Sequence, residues 1–226
     1  MKKTRIILIS IILIIISIIA SWYLLAGTKT NNTYVAPTES EGSYVIVAFG
    51  DSLTAGYGLT LYESYPYQLE QKLKEKNLNV KVINAGVSGE TSKGNNERAE
   101  FVKDIEPNMV ILGIGGNDAL RALPISEMRN NMESTINILQ SSKSNPKILL
   151  LKMQAPLNVG EEYKIEFDKV YVELSQKYNL PLIPFLVSDI FKDQSLMLPD
   201  GIHPNKEGYA KLIEKYLLDV VVREMN

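Results

Sequence analysis

The chain contains a single histidine, His203, which lies three residues after Asp200 towards the carboxyl end of the sequence. Ser52 lies much earlier, shortly after the apolar run 45–49. A serine hydroxyl becomes a strong nucleophile only beside a general base, and a carboxylate must hold that base in the correct tautomer. The spacing of Asp200 and His203 lets the carboxylate reach the imidazole from the same turn. These residues predict nucleophilic catalysis by Ser52, with proton transfer through His203.

Five short apolar runs have the composition of strands that are buried on both faces, at residues 44–49, 80–83, 109–112, 148–151 and 182–185. Stretches with helical periodicity separate them, and the clearest of these lies between residues 209 and 220. Strands that alternate with helices indicate a parallel sheet covered on both faces. We therefore predict an α/β fold of three layers, α/β/α, with a flavodoxin-like sheet of five parallel strands.

Polar, glycine-rich segments follow the first three predicted strands, at residues 50–53, 84–89 and 113–118, and residues 200–203 precede the last helix. In such sheets the ligand site lies beyond the carboxyl ends of the strands. Each segment alone is typical of a turn, but the ordered set predicts that four distant segments converge on one rim. Attack on an ester carbonyl needs donors aimed at the developing oxyanion, and glycine amides and the Asn117 amide suit that task.

The four segments resemble the sequence blocks of SGNH hydrolases of the GDSL esterase/lipase type. Within that superfamily the chain is most similar to the bacterial multifunctional thioesterase/lysophospholipase/arylesterase branch. The resemblance rests on residues 50–57 (GDSLTAGY), 87–92 (VSGETS), 115–118 (GGND) and 200–205 (DGIHPN). It extends over nearly the whole chain from residue 45 to the final helix.

The resemblance implies a role for each matching residue. Ser52 would be the nucleophile, and Asp200 and His203 would complete the catalytic triad. The backbone amides of Ser52 and Gly89 and the side chain of Asn117 would form the oxyanion hole. The resemblance also implies a mobile loop at residues 119–124 beside the acyl pocket, hydrolysis through an acyl-enzyme, and no cofactor.

Four apolar residues on the segments after the third and fourth predicted strands are candidates for an acyl groove: Leu120, Leu123, Leu157 and Val159. They favour cleavage of carboxylic esters or thioesters by a lysophospholipase-, thioesterase- or arylesterase-like enzyme, with a small-molecule acyl ester or a lipid as substrate. A carbohydrate or cell-wall O-acetylesterase is the alternative, because it would use the same catalytic groups with a different pocket. The non-enzymatic alternative, a membrane-tethered binding protein, would be favoured if Ser52, Asn117 or His203 were replaced, and none of them is.

The first 27 residues predict a membrane segment. A basic start precedes the uncharged stretch 6–26, which as a helix would be ~31 Å long, close to the ~30 Å hydrocarbon core of a bilayer. Its length favours an uncleaved anchor over a cleaved signal. Residues 28–42 are polar and predict a linker, and 43–226 predict one hydrolase domain. The basic residues at the start predict a single-pass protein of the cell membrane with an extracytoplasmic domain, or a secreted one if the segment is cleaved.

Composition excludes several other classes of protein. Of the 24 lysines and arginines, four lie in residues 1–42, as do two of the 26 acidic residues, so the remainder has a net charge of −4. A nucleic-acid partner is therefore not expected. No cysteine is present, which excludes disulfides and thiol catalysis. A metal site is not expected either, because one histidine leaves only scattered carboxylates as ligands.

Two other α/β families fit the motifs poorly. An α/β-hydrolase requires Gly-x-Ser-x-Gly at a strand–helix elbow, whereas position 54 is threonine. A dinucleotide-binding fingerprint after the third strand would require glycine at position 118, which is aspartate, and the chain has no Gly-Lys-Ser/Thr motif.

Overall fold

Five parallel strands form a single sheet in the computed structural model, which describes residues 42–185 and 188–225. The strands are β1 (Tyr44–Gly50), β2 (Val80–Gly86), β3 (Met109–Gly113), β4 (Lys147–Lys152) and β5 (Leu182–Pro184). Their order across the sheet is β2-β1-β3-β4-β5, which is the flavodoxin-like order of doubly wound sheets. All five strands were predicted from their apolar runs, and the predicted three-layer α/β/α fold is confirmed.

The helices cover both faces of the sheet. In chain order they are α1 (Ser52–Ala55), α2 (Tyr65–Glu75), α3 (Ser92–Asp104), α4 (Gly116–Leu120), α5 (Ile125–Gln140), α6 (Glu161–Tyr178), α7 (Ser188–Phe191), α8 (Lys206–Leu212) and α9 (Leu218–Met225). Helices α3, α5 and α6 pack side by side, and α2 packs with α8 and α9. A π-helical turn at Ile213–Leu217 joins α8 to α9, so the predicted last helix is continuous but locally widened.

The core runs through the middle of the sheet. Residues 46–49 of β1, 109–112 of β3 and 149–151 of β4 have no exposed surface. Strands buried on both faces lack the apolar–polar alternation of half-exposed ones, which is why these segments read as unbroken apolar runs. The sheet therefore forms a rigid platform whose carboxyl edge carries the polar segments.

Three glycines align across the carboxyl edge of the sheet. Gly50 is in register with Gly86 of β2 and with Gly113 of β3. A Cβ on Gly50 would lie 2.3 Å from the carbonyl oxygen of Gly113, and one on Gly86 would lie 2.2 Å from the amide nitrogen of Ala55. Because real Cβ atoms do not approach so closely, only glycine lets α1 fold back over the strand ends.

The predicted anchor at residues 1–27 and most of the predicted linker lie outside the described residues. Within residues 42–185 and 188–225, no helix combines the length and the apolar character needed to cross a membrane.

Candidate active site

Ser52 begins helix α1, one residue after the turn that ends β1. The side chain of Asp51 caps this helix by accepting a hydrogen bond of 3.0 Å from the backbone N–H of Leu53. The buried hydroxyl of Tyr209 in α8 donates to the carbonyl oxygen of Leu53 at 2.8 Å. The turn is therefore held from both sides, so the serine is presented from a fixed backbone.

A continuous hydrogen-bonded chain connects Ser52 to the loop before α8. The Nε2 atom of His203 lies 2.8 Å from Ser52 Oγ, and its Nδ1 atom lies 2.7 Å from Asp200 Oδ2. If Nδ1 carries the proton and donates to the carboxylate, Nε2 is left free to accept the serine proton. The imidazole is also flanked by the ring of Tyr57, whose centroid lies 4.7 Å away.

Asp200 is surrounded by hydrogen-bond donors. Its Oδ1 atom accepts from the backbone N–H groups of Ile202 at 2.9 Å and of His203 at 3.0 Å. Partial burial of the carboxyl opposes its ionisation, but these two amides and the imidazole outweigh burial and hold the pKa of Asp200 below its usual value. The carboxylate is therefore ionised at neutral pH and can fix the orientation of the ring.

Asn117 approaches the nucleophile from the third polar segment. It lies in α4, and its Nδ2 donates to Asp51 Oδ2 over 3.3 Å. A Cβ at Gly116 would lie 3.0 Å from the same oxygen, so a larger residue there would crowd the Asp51 carboxylate. Burial raises the pKa of Asp51 to about 6, although the hydrogen bonds from Leu53 and Asn117 oppose the shift.

Gly89 lies in the turn after β2, in a left-handed conformation with φ of +80°, which favours glycine. Arg121, immediately after α4, donates to the Gly89 carbonyl oxygen at 2.8 Å. Deeper in the protein, Asp118 accepts from the N–H and the hydroxyl of Ser92 at 2.7 and 2.6 Å. Because Asp118 follows Asn117 and Ser92 follows the Gly89 turn, these bonds set the distance between the two predicted oxyanion donors.

A second network supports the Gly89 turn from behind. The Glu90 carboxylate accepts from the Arg98 guanidinium through both oxygens and from the side chain of Asn95. Arg98 also donates to the carbonyl oxygen of Ala85 at 3.1 Å, and its guanidinium lies over the Phe49 ring. The turn is thereby fastened to the carboxyl ends of β1 and β2.

A cavity of about 430 Å³ opens beside Ser52 and Asn117, a volume within the usual range for small-molecule sites. Its wall is mostly apolar and comes from the segments after β1, β3, β4 and β5 and from the loop before α8. The residues that supply this apolar wall are Leu53, Leu120, Ala155, Pro156, Phe191 and Ile202. A carbonyl carbon attacked by Ser52 would therefore lie at the mouth of an apolar chamber.

The structure separates the four residues predicted for the acyl groove. Leu120 lines the cavity beside Ser52. Val159 lines a different, more open cavity of about 730 Å³ between the starts of α5 and α6. Leu123 lines neither of these cavities, and its carbonyl oxygen accepts from Tyr163 at 2.8 Å. The side chain of Leu157 lies outside the described part of the chain.

Sequence reasoning missed several residues around the site. Phe191 and Ile202 line the cavity, and Asp51 contacts Asn117. Phe191 follows the fifth strand, and ligands bind beyond the carboxyl ends of parallel strands, so its position in the sequence could have indicated that it lies at the site. Asp51 belongs to the first motif, but its contact with Asn117 depends on how α4 packs, which the sequence pattern does not specify. Among residues 42–185 and 188–225, no cluster of three or more potential ligands is arranged to hold a metal ion.

Comparisons with known proteins agree with this geometry. Residues 48–211 match the sequence model of the GDSL-like lipase/acylhydrolase family. An arylesterase of Vibrio mimicus is 30% identical over 176 residues, which cover 77% of this chain and 87% of the relative. The thioesterase 1/protease 1/lysophospholipase L1 of Escherichia coli K12 is 30% identical over 164 residues, which cover 72% of this chain and 76% of the relative.

Solved structures show the same relationship. The crystal structure of AlinE4, an SGNH-hydrolase family esterase, is similar to this chain with a TM-score of 0.66 and 39% sequence identity, covering 84% of this chain and 100% of that chain. The serine, histidine and aspartate of the site all lie within the matched residues 48–211. This chain belongs to the GDSL-like lipase/acylhydrolase family and is an ester-hydrolysing enzyme of the SGNH type.

Proposed function

We propose that Ser52 attacks the substrate carbonyl while His203 takes its proton, and that Asp200 orients the imidazole and stabilises its charged form. The observation that carries this proposal is the chain of two short hydrogen bonds, 2.8 Å from Ser52 to His203 and 2.7 Å from His203 to Asp200. His203 then gives the proton to the leaving group. In the second half of the reaction it activates a water that releases the acid from the acyl-enzyme.

The oxyanion of each tetrahedral intermediate is stabilised by the Ser52 amide, the Gly89 amide and the Asn117 side chain. Two features support these roles. Asn117 lines the cavity together with Ser52, and Asp118 ties the segments that carry Asn117 and Gly89 together. Donors held in advance need no reorganisation as charge develops, which is why such groups lower the barrier strongly.

The substrate proposed is a carboxylic ester or thioester with an apolar acyl chain. The apolar cavity wall supports this class, as do the relatives named arylesterase and thioesterase/lysophospholipase. Each buried CH₂ contributes up to ~0.8 kcal/mol, so kcat/KM is expected to rise by up to roughly fourfold per CH₂ until the cavity is filled.

A panel of soluble esters from acetyl to decanoyl tests both the chemistry and the substrate class. Wild type is expected to prefer medium chains, and Ser52→Ala is expected to lose both turnover and labelling by a fluorophosphonate probe. Leu120→Asp is expected to flatten the chain-length dependence, whereas Val159→Asp, which changes a residue of the other cavity, is not. Substantial turnover by Ser52→Ala would refute the mechanism, and preference for acetyl esters and acetylated glycans would favour an O-acetylesterase.

We also propose that residues 1–27 anchor the protein in the cell membrane, with residues 28–42 as a tether and the catalytic domain extracytoplasmic. The support is the uncharged stretch 6–26 behind Lys2, Lys3 and Arg5, since positive residues stay on the cytoplasmic side. External protease is expected to remove the catalytic domain from intact spheroplasts. Protection of the domain until lysis would contradict this topology.

A further inference from the structure

Exposed apolar side chains are concentrated at the carboxyl rim of the sheet. Nine large hydrophobic residues of the described chain are strongly exposed, and three of them, Phe101, Ile165 and Val172, lie on helices α3 and α6. The other six lie on the loops and short helices around the site: Tyr57, Leu61, Tyr62, Val87, Leu120 and Ile202. We call these six residues the apolar rim. Exposed apolar side chains gathered around one cavity are candidates for an interaction site.

Three members of the apolar rim are tied directly to the mouth of the cavity. Leu120 and Ile202 line it on the sides of Asn117 and His203, respectively, and the two residues are 49% and 41% exposed. Tyr57 packs against the His203 ring. Apolar surface therefore continues from the inside of the cavity to the outside of the protein.

The short turn Leu61–Glu63 extends this surface beside the histidine loop. The Gln68 side chain donates to the carbonyl oxygens of both Glu63 and Lys206, which links the turn to the start of α8. Gly58 lies against Leu198 of the same loop. Leu61 and Tyr62 are 62% and 66% exposed, so this fixed turn presents two large apolar side chains to the surroundings.

We propose that the apolar rim docks onto the surface of an anionic lipid bilayer, with the cavity mouth facing the lipid. Tyrosine rings and aliphatic side chains on a rigid rim suit the membrane interface, where binding grows with buried apolar area and with attraction to anionic headgroups. The charges around the rim fit this partner. Three basic residues lie around it, against the two carboxylates Glu63 and Asp200: Lys192 lines the cavity, Arg121 follows Leu120, and Lys206 begins α8, linked to the turn Leu61–Glu63 through Gln68.

The length of chain before the described domain permits this orientation. β1 begins at Tyr44 on the edge of the sheet opposite to the rim, and its seven residues span ~23 Å. Fourteen linker residues, 28–41, reach up to ~46 Å when extended. A domain tethered by its amino end can therefore turn its carboxyl rim towards the membrane, and an acyl ester could enter the cavity from the lipid phase. This use of the rim rests on the proposed acyl-ester hydrolysis, whereas docking itself does not.

Vesicle co-sedimentation of a fragment comprising residues 40–226 tests the docking. The described core lies wholly in this part, and the whole solved chain of AlinE4 is matched by 84% of this chain. All proteins carry Ser52→Ala so that no lipid is hydrolysed, and the vesicles contain phosphatidylcholine and phosphatidylglycerol in equal parts. The double variant Leu61→Asp/Tyr62→Asp is expected to weaken partitioning by about tenfold or more, because two apolar contacts become repulsive.

The matched control is Ile165→Asp/Val172→Asp, which places the same charges on exposed apolar positions of α6. It is expected to partition like the parent fragment, and circular dichroism checks that both variants are folded. Absence of parent binding, or equal losses in the two double variants, would overturn the proposal. A third outcome would also overturn it: the parent fragment binds no vesicles but self-associates, and Leu61→Asp/Tyr62→Asp abolishes that self-association. The apolar rim would then be an interface between two copies of the chain.

Activity measurements separate this inference from the proposed function. With Ser52 intact, Leu61→Asp/Tyr62→Asp is expected to retain parent kcat/KM on a water-soluble butyrate ester and to lose rate only on an ester embedded in vesicles. Equal rates of parent and variant on both substrates would overturn the proposal. If the parent hydrolyses no ester, the proposed function fails, and the sedimentation result still decides the docking.

Discussion

Two carboxyl groups flank Ser52, and their surroundings differ sharply. Asp200 is partly exposed, accepts two backbone amides and contacts the imidazole, and its pKa is lowered. Asp51 is buried, with Leu53 and Asn117 as its donors, and burial raises its pKa to about 6. The same residue type therefore has opposite electrostatic character on the two sides of the nucleophile.

The difference indicates a division of tasks within the site. A carboxylate rich in donors stays ionised and can stabilise an imidazolium, as proton transfer to His203 requires. Among the described residues, the hydrogen bonds of the Asp51 side chain do not include one to the imidazole. Asp51 instead touches the backbone of the nucleophile turn and the side chain of Asn117. We therefore associate Asp200 with proton transfer and Asp51 with the positioning of the oxyanion side.

The largest effect is expected from Asp200→Asn. An amide at this position can direct its NH₂ group to His203 Nδ1, which favours the wrong tautomer, so kcat is expected to fall by about 10³–10⁴. The matched control is Asp193→Asn, because Asp193 also accepts a backbone N–H two residues on, from Ser195, but has no contact with the imidazole. Steady-state kinetics on a soluble ester measure both variants. A decrease in kcat of less than about tenfold for Asp200→Asn would show that Asp200 is not needed for proton transfer through His203.

Asn117→Ala, on the other side of the nucleophile, is expected to lower kcat less than Asp200→Asn does. Removal of one oxyanion donor lowers kcat by roughly 10²–10³, and KM is expected to change little because the contact strengthens only as the oxyanion forms. Asn79→Ala is the control, since Asn79 lies at the opposite edge of the sheet and donates to Gly42. An effect confined to KM would mean that Asn117 binds the ground-state ester.

The sequence predicted the architecture and the convergence of the site because both follow from one rule. Unbroken apolar runs form strands buried on both faces, and parallel strands bring their carboxyl ends to one edge. The segments that hold Ser52, Gly89, Asn117 and His203 accordingly share that edge. The proximity of Asp200 to His203 followed from their spacing of three residues.

The wall of the cavity was harder to predict because it depends on how short segments turn after each strand. Helix α4 ends at Leu120, which faces the cavity, and the chain then turns so that Leu123 makes its backbone contact with Tyr163. Two buried tyrosines also have a role that apolar periodicity does not reveal. Tyr171 and Tyr209 lie in the core, and their hydroxyls donate to the carbonyl oxygens of Ile114 and Leu53 beside the site.

The smallest expected effect, and the most direct test of the contrast, is the pH dependence of stability. The pKa of Asp51 rises on folding from 3.8 to about 6, so the folded state binds more protons than the unfolded state within that window. Stability is then lost as pH rises through it, by about 3 kcal/mol in total. Asp51→Asn removes this loss, so the free energy of unfolding of the variant relative to wild type should rise by most of that amount between pH 4 and pH 7.

For Asp200→Asn, the expected change in the pH dependence of stability has the opposite sign. The lowered pKa of Asp200 contributes stability that is present above its unfolded value and disappears as pH falls through the folded one. Asp200→Asn is therefore expected to destabilise more at neutral pH than at strongly acidic pH. Urea unfolding of wild type and both variants across this range measures the two slopes. Slopes of the same sign would contradict the electrostatic contrast between the two carboxyls, whereas opposite slopes would show that burial at Asp51 and hydrogen bonding at Asp200 decide their charge.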